Sequence, residues 1–199
     1  MYILYDTLSS DFSSSWNAPH HTLTREPRLI RLCWMICESG GQIIDRQDVW
    51  IRQLDYRLPQ TLQLLYGLSD VYLQESGVPI GVATKGLREW VQRGAETVAM
   101  GEERHRRIIG AEARKQRAFH PLQGAIPNCL ERMATIFLGQ KNRDGSAKPP
   151  SLSQLNQVLF GQPISSGEDP LEVMRRCFFA LKEKGIYGPV QSSALSSEK

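Results

Sequence analysis

The sequence predicts an α/β domain built around a mixed sheet. Three apolar, strand-like segments come first, then helical spacing sets in at Pro59, and a short apolar strand interrupts the helices at 96–100. Strands followed by alternating helix and strand bury their apolar faces best as a sheet with helices on it. The 199 residues suffice for one domain with a real core.

The first strand is read over Tyr2–Thr7, ending near Asp6, and a Ser-rich polar loop follows from Leu8 to about Pro27. Arg28–Glu38 is dense in branched and aromatic residues, and Gln42–Arg52 alternates apolar with polar. Ser39-Gly40-Gly41 between them is a hairpin signal, so the two are expected as an antiparallel pair. Leu62, Leu65, Leu68 and Tyr72 then suggest short helices around a turn at Gly67. One longer amphipathic helix is expected over Pro79–Arg93, with Pro in its first turn. After the strand Glu96–Met100 a helix is expected from about Glu102 to Ala118, its acidic start matched to the helix dipole. Ile126–Leu138 reads as an extended start leading into a helix, and Lys141–Pro150 as a loop. Ser151–Phe160 reads as a helix capped by Ser151 and stopped by Gly161, and Pro170–Lys184 as the last helix. The chain is expected to form a single domain over residues 1–187, with 188–199 a flexible Ser-rich tail.

Composition excludes several classes. Apolar residues at 41% and charged residues at 23% are ordinary for a folded chain and rule out wholesale disorder. There is no apolar run of membrane-spanning length and no basic stretch before the first apolar segment, so a cytoplasmic protein without membrane contact is expected. The net charge of +3 permits nucleic-acid binding without arguing for it. Cys33, Cys37, Cys129 and Cys177 fit neither a zinc ribbon nor a disulfide scaffold and are expected as reduced core residues. His20 and His21 are adjacent and would point to opposite sides of an extended segment, which disfavours one shared metal ion. No phosphate loop or nucleophile elbow is present.

The runs YILYDT, PRLIRLCWMICESGGQIID, YGLSDVYLQESGVPI and LREWV, with PSLSQLNQVLFGQ and RRCFFALKEKGIY later, carry a family likeness. They resemble the DnaQ-like branch of the DEDD-type 3′–5′ exonucleases, which have the ribonuclease H-like fold. The likeness extends over roughly residues 1–187. It implies a sheet with an antiparallel three-strand start, then parallel strands, flanked by helices.

The resemblance also implies four carboxylates around two divalent metals and a histidine that activates water. Asp6 matches the first carboxylate, but its partner two residues on is Leu8. In the stretch AMGEERH, His105 takes the place of the next aspartate. The last histidine and aspartate fall on Ser165 and Pro170; a one-residue slip gives Ile164 and Asp169 instead. The likeness thus leads to a pseudo-exonuclease in which Asp6 is vestigial, with no catalytic residue, no metal site and no cofactor. An active enzyme needing Mg²⁺ or Mn²⁺ remains the alternative if Asp11, Glu102, Glu103, Glu168 and Asp169 converge.

Two roles suit a chain of that kind. Arg104, Arg106, Arg107, Arg114, Lys115 and Arg117 lie on one predicted helix at the cleft and could hold a DNA or RNA strand. Alternatively the chain docks on proteins of a larger complex, with Trp16 the tryptophan expected to be exposed and Trp34 expected in the core.

Overall fold

A computed structural model of the chain describes residues 1–10 and 27–186. Asp11, Trp16, His20, His21 and the expected tail 188–199 lie outside the described residues.

Five strands form one sheet in the order β3-β2-β1-β4-β5. β1 (Tyr2–Ser9), β2 (Leu29–Cys37) and β3 (Ile43–Trp50) are antiparallel, while β4 (Glu96–Ala99) and β5 (Pro127–Cys129) run parallel to β1. Along β2 nearly every residue is buried, as expected of a strand covered on both faces, and Trp34 is fully buried. The Ser39–Gly41 turn closes through Gly41 N–H to Glu38 O at 2.9 Å, with Gly41 at φ 90°. β3 departs from the expected half-buried alternation. It is an exposed edge whose Asp45, Arg46 and Asp48 oppose pairing with another chain. β1 also runs past the expected end at Thr7, because Asp6 to Ser9 remain paired with β2.

Helices cover both faces. On one side α3 (Ile80–Ala83), α4 (Lys85–Gln92) and α5 (Glu102–Lys115) pack on Ile3, Tyr5, Leu32, Trp34 and Ile36. On the other, α6 (Leu130–Leu138), α7 (Leu152–Phe160) and α8 (Pro170–Glu183) pack on Tyr2, Leu4, Met35 and Cys37. A smaller cluster of Ile30, Leu58, Leu62, Leu68 and Leu73 sits under α1 (Gln60–Tyr66) and α2 (Asp70–Glu75). Leu65 and Tyr72, expected on the apolar stripe of these helices, are 69% and 44% exposed.

The helix expected over Pro79–Arg93 is two helices broken at Thr84. The Thr84 hydroxyl donates to Ile80 O at 2.7 Å and its backbone leaves helical geometry at φ −107°. Its glycine, Gly86, packs against the Trp34 ring. α5 also stops short of Ala118: Arg117 is left-handed at φ 53°, and Ala118 N–H reaches back to Ala113 O at 2.8 Å. α7 begins with the capping box of Ser151 and Gln154 and ends at Gly161, and Asp169 caps α8 ahead of Pro170. Among the described residues no helix is long and apolar enough to cross a membrane.

Candidate functional site

Asp6 lies on β1 beyond the stretch Tyr2–Leu4 that pairs with β4, so it sits where the parallel strands end. Sites in open α/β sheets form at such carboxyl ends. Asp6, Cys33 and Asp48 are neighbours across β1, β2 and β3, with Leu8, Arg31 and Trp50 in the next row. The loop carrying Gly101, at φ 78°, turns the chain from β4 into α5 and brings the helix start over this end.

His105 is 4% exposed there. Its Nε2 lies 2.9 Å from Met100 O and its Nδ1 2.8 Å from Thr7 Oγ1. A carbonyl only accepts, so Nε2 carries the proton and Nδ1 accepts from the threonine hydroxyl. Asp6 Oδ1 is 3.6 Å from the same Nε2. Burial holds the imidazole below its ordinary pKa, against the pull of Asp6. The ring is therefore a neutral group with both nitrogens engaged by protein.

Of the other carboxylates that the resemblance leaves as candidates, Glu102, Glu168 and Asp169 are engaged. Glu102, 4% exposed, accepts from Arg106 Nε at 2.7 Å, Tyr5 Oη at 3.2 Å and Thr97 Oγ1 at 3.4 Å. Burial and then Glu102 itself push the Tyr5 phenol well above its usual pKa, so it stays a donor. Asp169 caps α8 and pairs with Arg46 at 2.7 Å, and Glu168 pairs with Arg176. Asp48 holds Arg31 through Nε and Nη2, and Arg31 lies over the Trp50 ring at 5.4 Å. Glu103 is exposed. Leu8 packs on the cluster under α1 and α2, Ile164 packs under α8, and Ser165 precedes that helix with its N–H on Glu168 Oε2. Pro170 is the first residue of α8. Among the described residues no three His, Cys, Asp or Glu side chains gather in a group that could hold a metal ion.

The six basic residues expected on α5 separate into three groups. Arg106 turns inward: besides Glu102 it donates to Leu122 O at 2.7 Å and Thr97 Oγ1 at 3.1 Å. Arg104 and Arg107 are half-buried, whereas Arg114, Lys115 and Arg117 are exposed at the helix end. α5 as a whole is a core helix, with Ile108 through Ala113 buried. Its flanking small residues Gly110, Ala111 and Ala113 signal close packing in the sequence.

The same helix carries a buried acid that no sequence motif marks. Glu112 is fully buried and accepts from Arg28 Nε at 2.9 Å, Arg28 Nη2 at 3.0 Å, Leu29 N–H at 3.2 Å and Gln116 Nε2 at 2.9 Å. Burial would raise its pKa, but these donors outweigh it and hold the carboxyl below its usual value. All four cysteines are free, and burial raises the Cys33 thiol to about 12 and those of Cys37 and Cys177 to about 11.

The sheet order, the antiparallel start and the helix placement define a ribonuclease H-like α/β fold of the exonuclease type. Solved structures agree. A 3′-exonuclease that recognises the 3′ end of the histone mRNA stem-loop superposes with a TM-score of 0.71 at 11% identity, over 97% of this chain and 91% of its own. Product-bound exonuclease I gives 0.66 at 10% identity, and E. coli exonuclease I with a dT13 oligonucleotide gives 0.62 at 11%. The chain spans 44% and 40% of those two chains. No family model matches the sequence, and no curated protein is detectably similar to it in sequence.

Proposed function

We propose that this chain is a pseudo-exonuclease: an exonuclease fold that binds a DNA or RNA strand without cutting it, as a component of a larger nucleic-acid-handling assembly. The observation that carries the reading is His105. A neutral ring, hydrogen-bonded to Thr7 and to the Met100 carbonyl, fills the position where the resemblance implies a metal-binding aspartate. Of the acids that could replace the lost ligands, Glu102, Glu168 and Asp169 are each paired with an arginine and Glu103 is exposed, and Leu8 stands in for the partner of Asp6. Divalent ions of this chemistry need several converging oxygen ligands, and this donor set does not fit a pair of them.

Strand binding draws on Arg104, Arg107, Arg114 and Lys115 of α5 and on Arg117 just beyond it. The test is fluorescence anisotropy of a labelled oligonucleotide at several salt concentrations, with wild type and a triple Arg104→Glu, Arg107→Glu, Arg114→Glu variant whose folding is checked by circular dichroism. Removing one ion pair with a phosphate should lower the salt slope by about 0.7 for a single strand. Equal affinity and equal slope in the two proteins would sink the basic-helix reading. Docking on a protein has an observation of its own: Leu64, Leu65, Tyr66, Val71 and Tyr72 expose apolar surface on α1 and α2.

A further inference from the structure

A cleft of about 470 Å³ opens at the other end of α5, lined by Arg28, Arg52, Asp55, Lys115 and Gln116, with Leu54 and Pro79 as apolar lining. Sites for small molecules fall in the range of about 300–1,000 Å³. α5 has 14 residues, so at 1.5 Å per residue the cleft lies roughly 20 Å from the Asp6 end.

Four separate segments meet here and are held by bonds that do not depend on any ligand. Gln116 Nε2 donates to Arg52 O at 3.1 Å and to Glu112 Oε1 at 2.9 Å, and Gln116 Oε1 accepts from Ile80 N–H at 3.0 Å. Arg52 Nε donates to Gly77 O at 2.9 Å, and Glu112 grips the Nε and Nη2 of Arg28. A lining fixed in this way needs little reordering on binding.

The charge balance decides what it would take. Three cations face one exposed carboxylate, Asp55, and the buried Glu112 behind Arg28. The carboxyl end of α5 adds about half a negative charge, which leaves the balance positive. Arg28 is committed to Glu112 through Nε and Nη2, and Arg52 to Gly77 O through Nε, so the Nη groups of Arg52 together with the Lys115 ammonium supply the contacts to an oxyanion.

We propose that this cleft is a phosphate-binding site, taking the phosphate of a small molecule or of a nucleic-acid strand. The proposal does not rest on the strand-binding reading of α5. Isothermal titration calorimetry of the full chain against pyrophosphate, AMP and an oligothymidylate without terminal phosphates separates the sources. Each is run on wild type and on the Arg52→Gln, Lys115→Gln double variant; Arg28 is left intact because it neutralises Glu112. Saturable binding of pyrophosphate or AMP, weakened about tenfold or more in the double variant, supports a small-molecule site even if no oligonucleotide binds. Binding of the oligonucleotide alone, weakened by Arg52→Gln on its own, which leaves the basic residues of α5 intact, supports the strand as source. No binding of any probe, or binding indifferent to the double variant with its melting temperature unchanged, overturns the proposal.

Discussion

Replacing Glu112 with Ala removes the acceptor of four hydrogen bonds from a site with no solvent access. The guanidinium of Arg28, itself 15% exposed on its side chain, then loses its counter-charge, and the Leu29 N–H loses its acceptor in the interior. Breaking a buried pair by removing one partner costs about 3–5 kcal/mol. The limited solvent access of Arg28 argues for the lower end, about 3 kcal/mol, a large share of a typical domain's stability of about 5–15 kcal/mol. For a chain of this size the melting temperature should fall by about 6–12 °C, at about 2–4 °C per kcal/mol. Circular dichroism melts at neutral pH measure this directly. An Arg28→Met, Glu112→Leu double variant should recover part of the loss, because it leaves no uncompensated charge. The Glu112 carboxyl is held below its ordinary value of 4.5, so its contribution is complete above that pH and is lost on acidification through the folded value. The gap between wild type and Glu112→Ala should therefore close in acid. A fall of under about 2 °C at neutral pH, in the range of a surface pair, would refute the reasoning.

Other outcomes follow from the same geometry. His105 and His120 are held below their ordinary 6.5 by burial, so the unfolded chain takes up protons first. Stability should be full above 6.5, fall as the pH drops towards the depressed values, and level off below them; a His105→Gln variant should show a shallower fall in a melting series. Gly77→Ala should destabilise more than Gly110→Ala, since a Cβ at 77 meets backbone atoms, Leu73 O at 2.3 Å and Arg52 Cα at 2.7 Å, whereas at 110 it meets a side chain, the His120 ring. Urea melts of the two variants compare them. Arg117→Gly should stabilise by about 1 kcal/mol, because a left-handed conformation strains any residue with a Cβ; a loss of stability would show that the Arg117 side chain matters more.

Local signals carried most of the elements. The apolar run of β2, the glycines of the hairpin, the Ser151 cap and Gly161 each act within a few residues of themselves, and the structure uses each where the pattern places it. What the pattern missed was set by distant partners. Arg106 looks like its neighbours in sequence, yet Glu102, Thr97 and Leu122 draw it inward. The Arg28–Glu112 pair spans 84 residues, and no local period encodes it. The Thr84 break depends on one hydroxyl choosing the Ile80 carbonyl within a stretch otherwise spaced as a helix. At the candidate site, comparison with the family motif marked His105, but its two hydrogen bonds join Thr7, 98 residues earlier in the chain, with the turn before α5.

The most direct measurement incubates a 5′-labelled single strand with the protein in Mn²⁺ and resolves the products on a denaturing gel. With His105 in the place of a ligand and the nearby acids paired to arginines, the strand should stay at full length. A ladder of shortened strands that disappears in Asp6→Ala would contradict the account and show a working metal site built around Asp6.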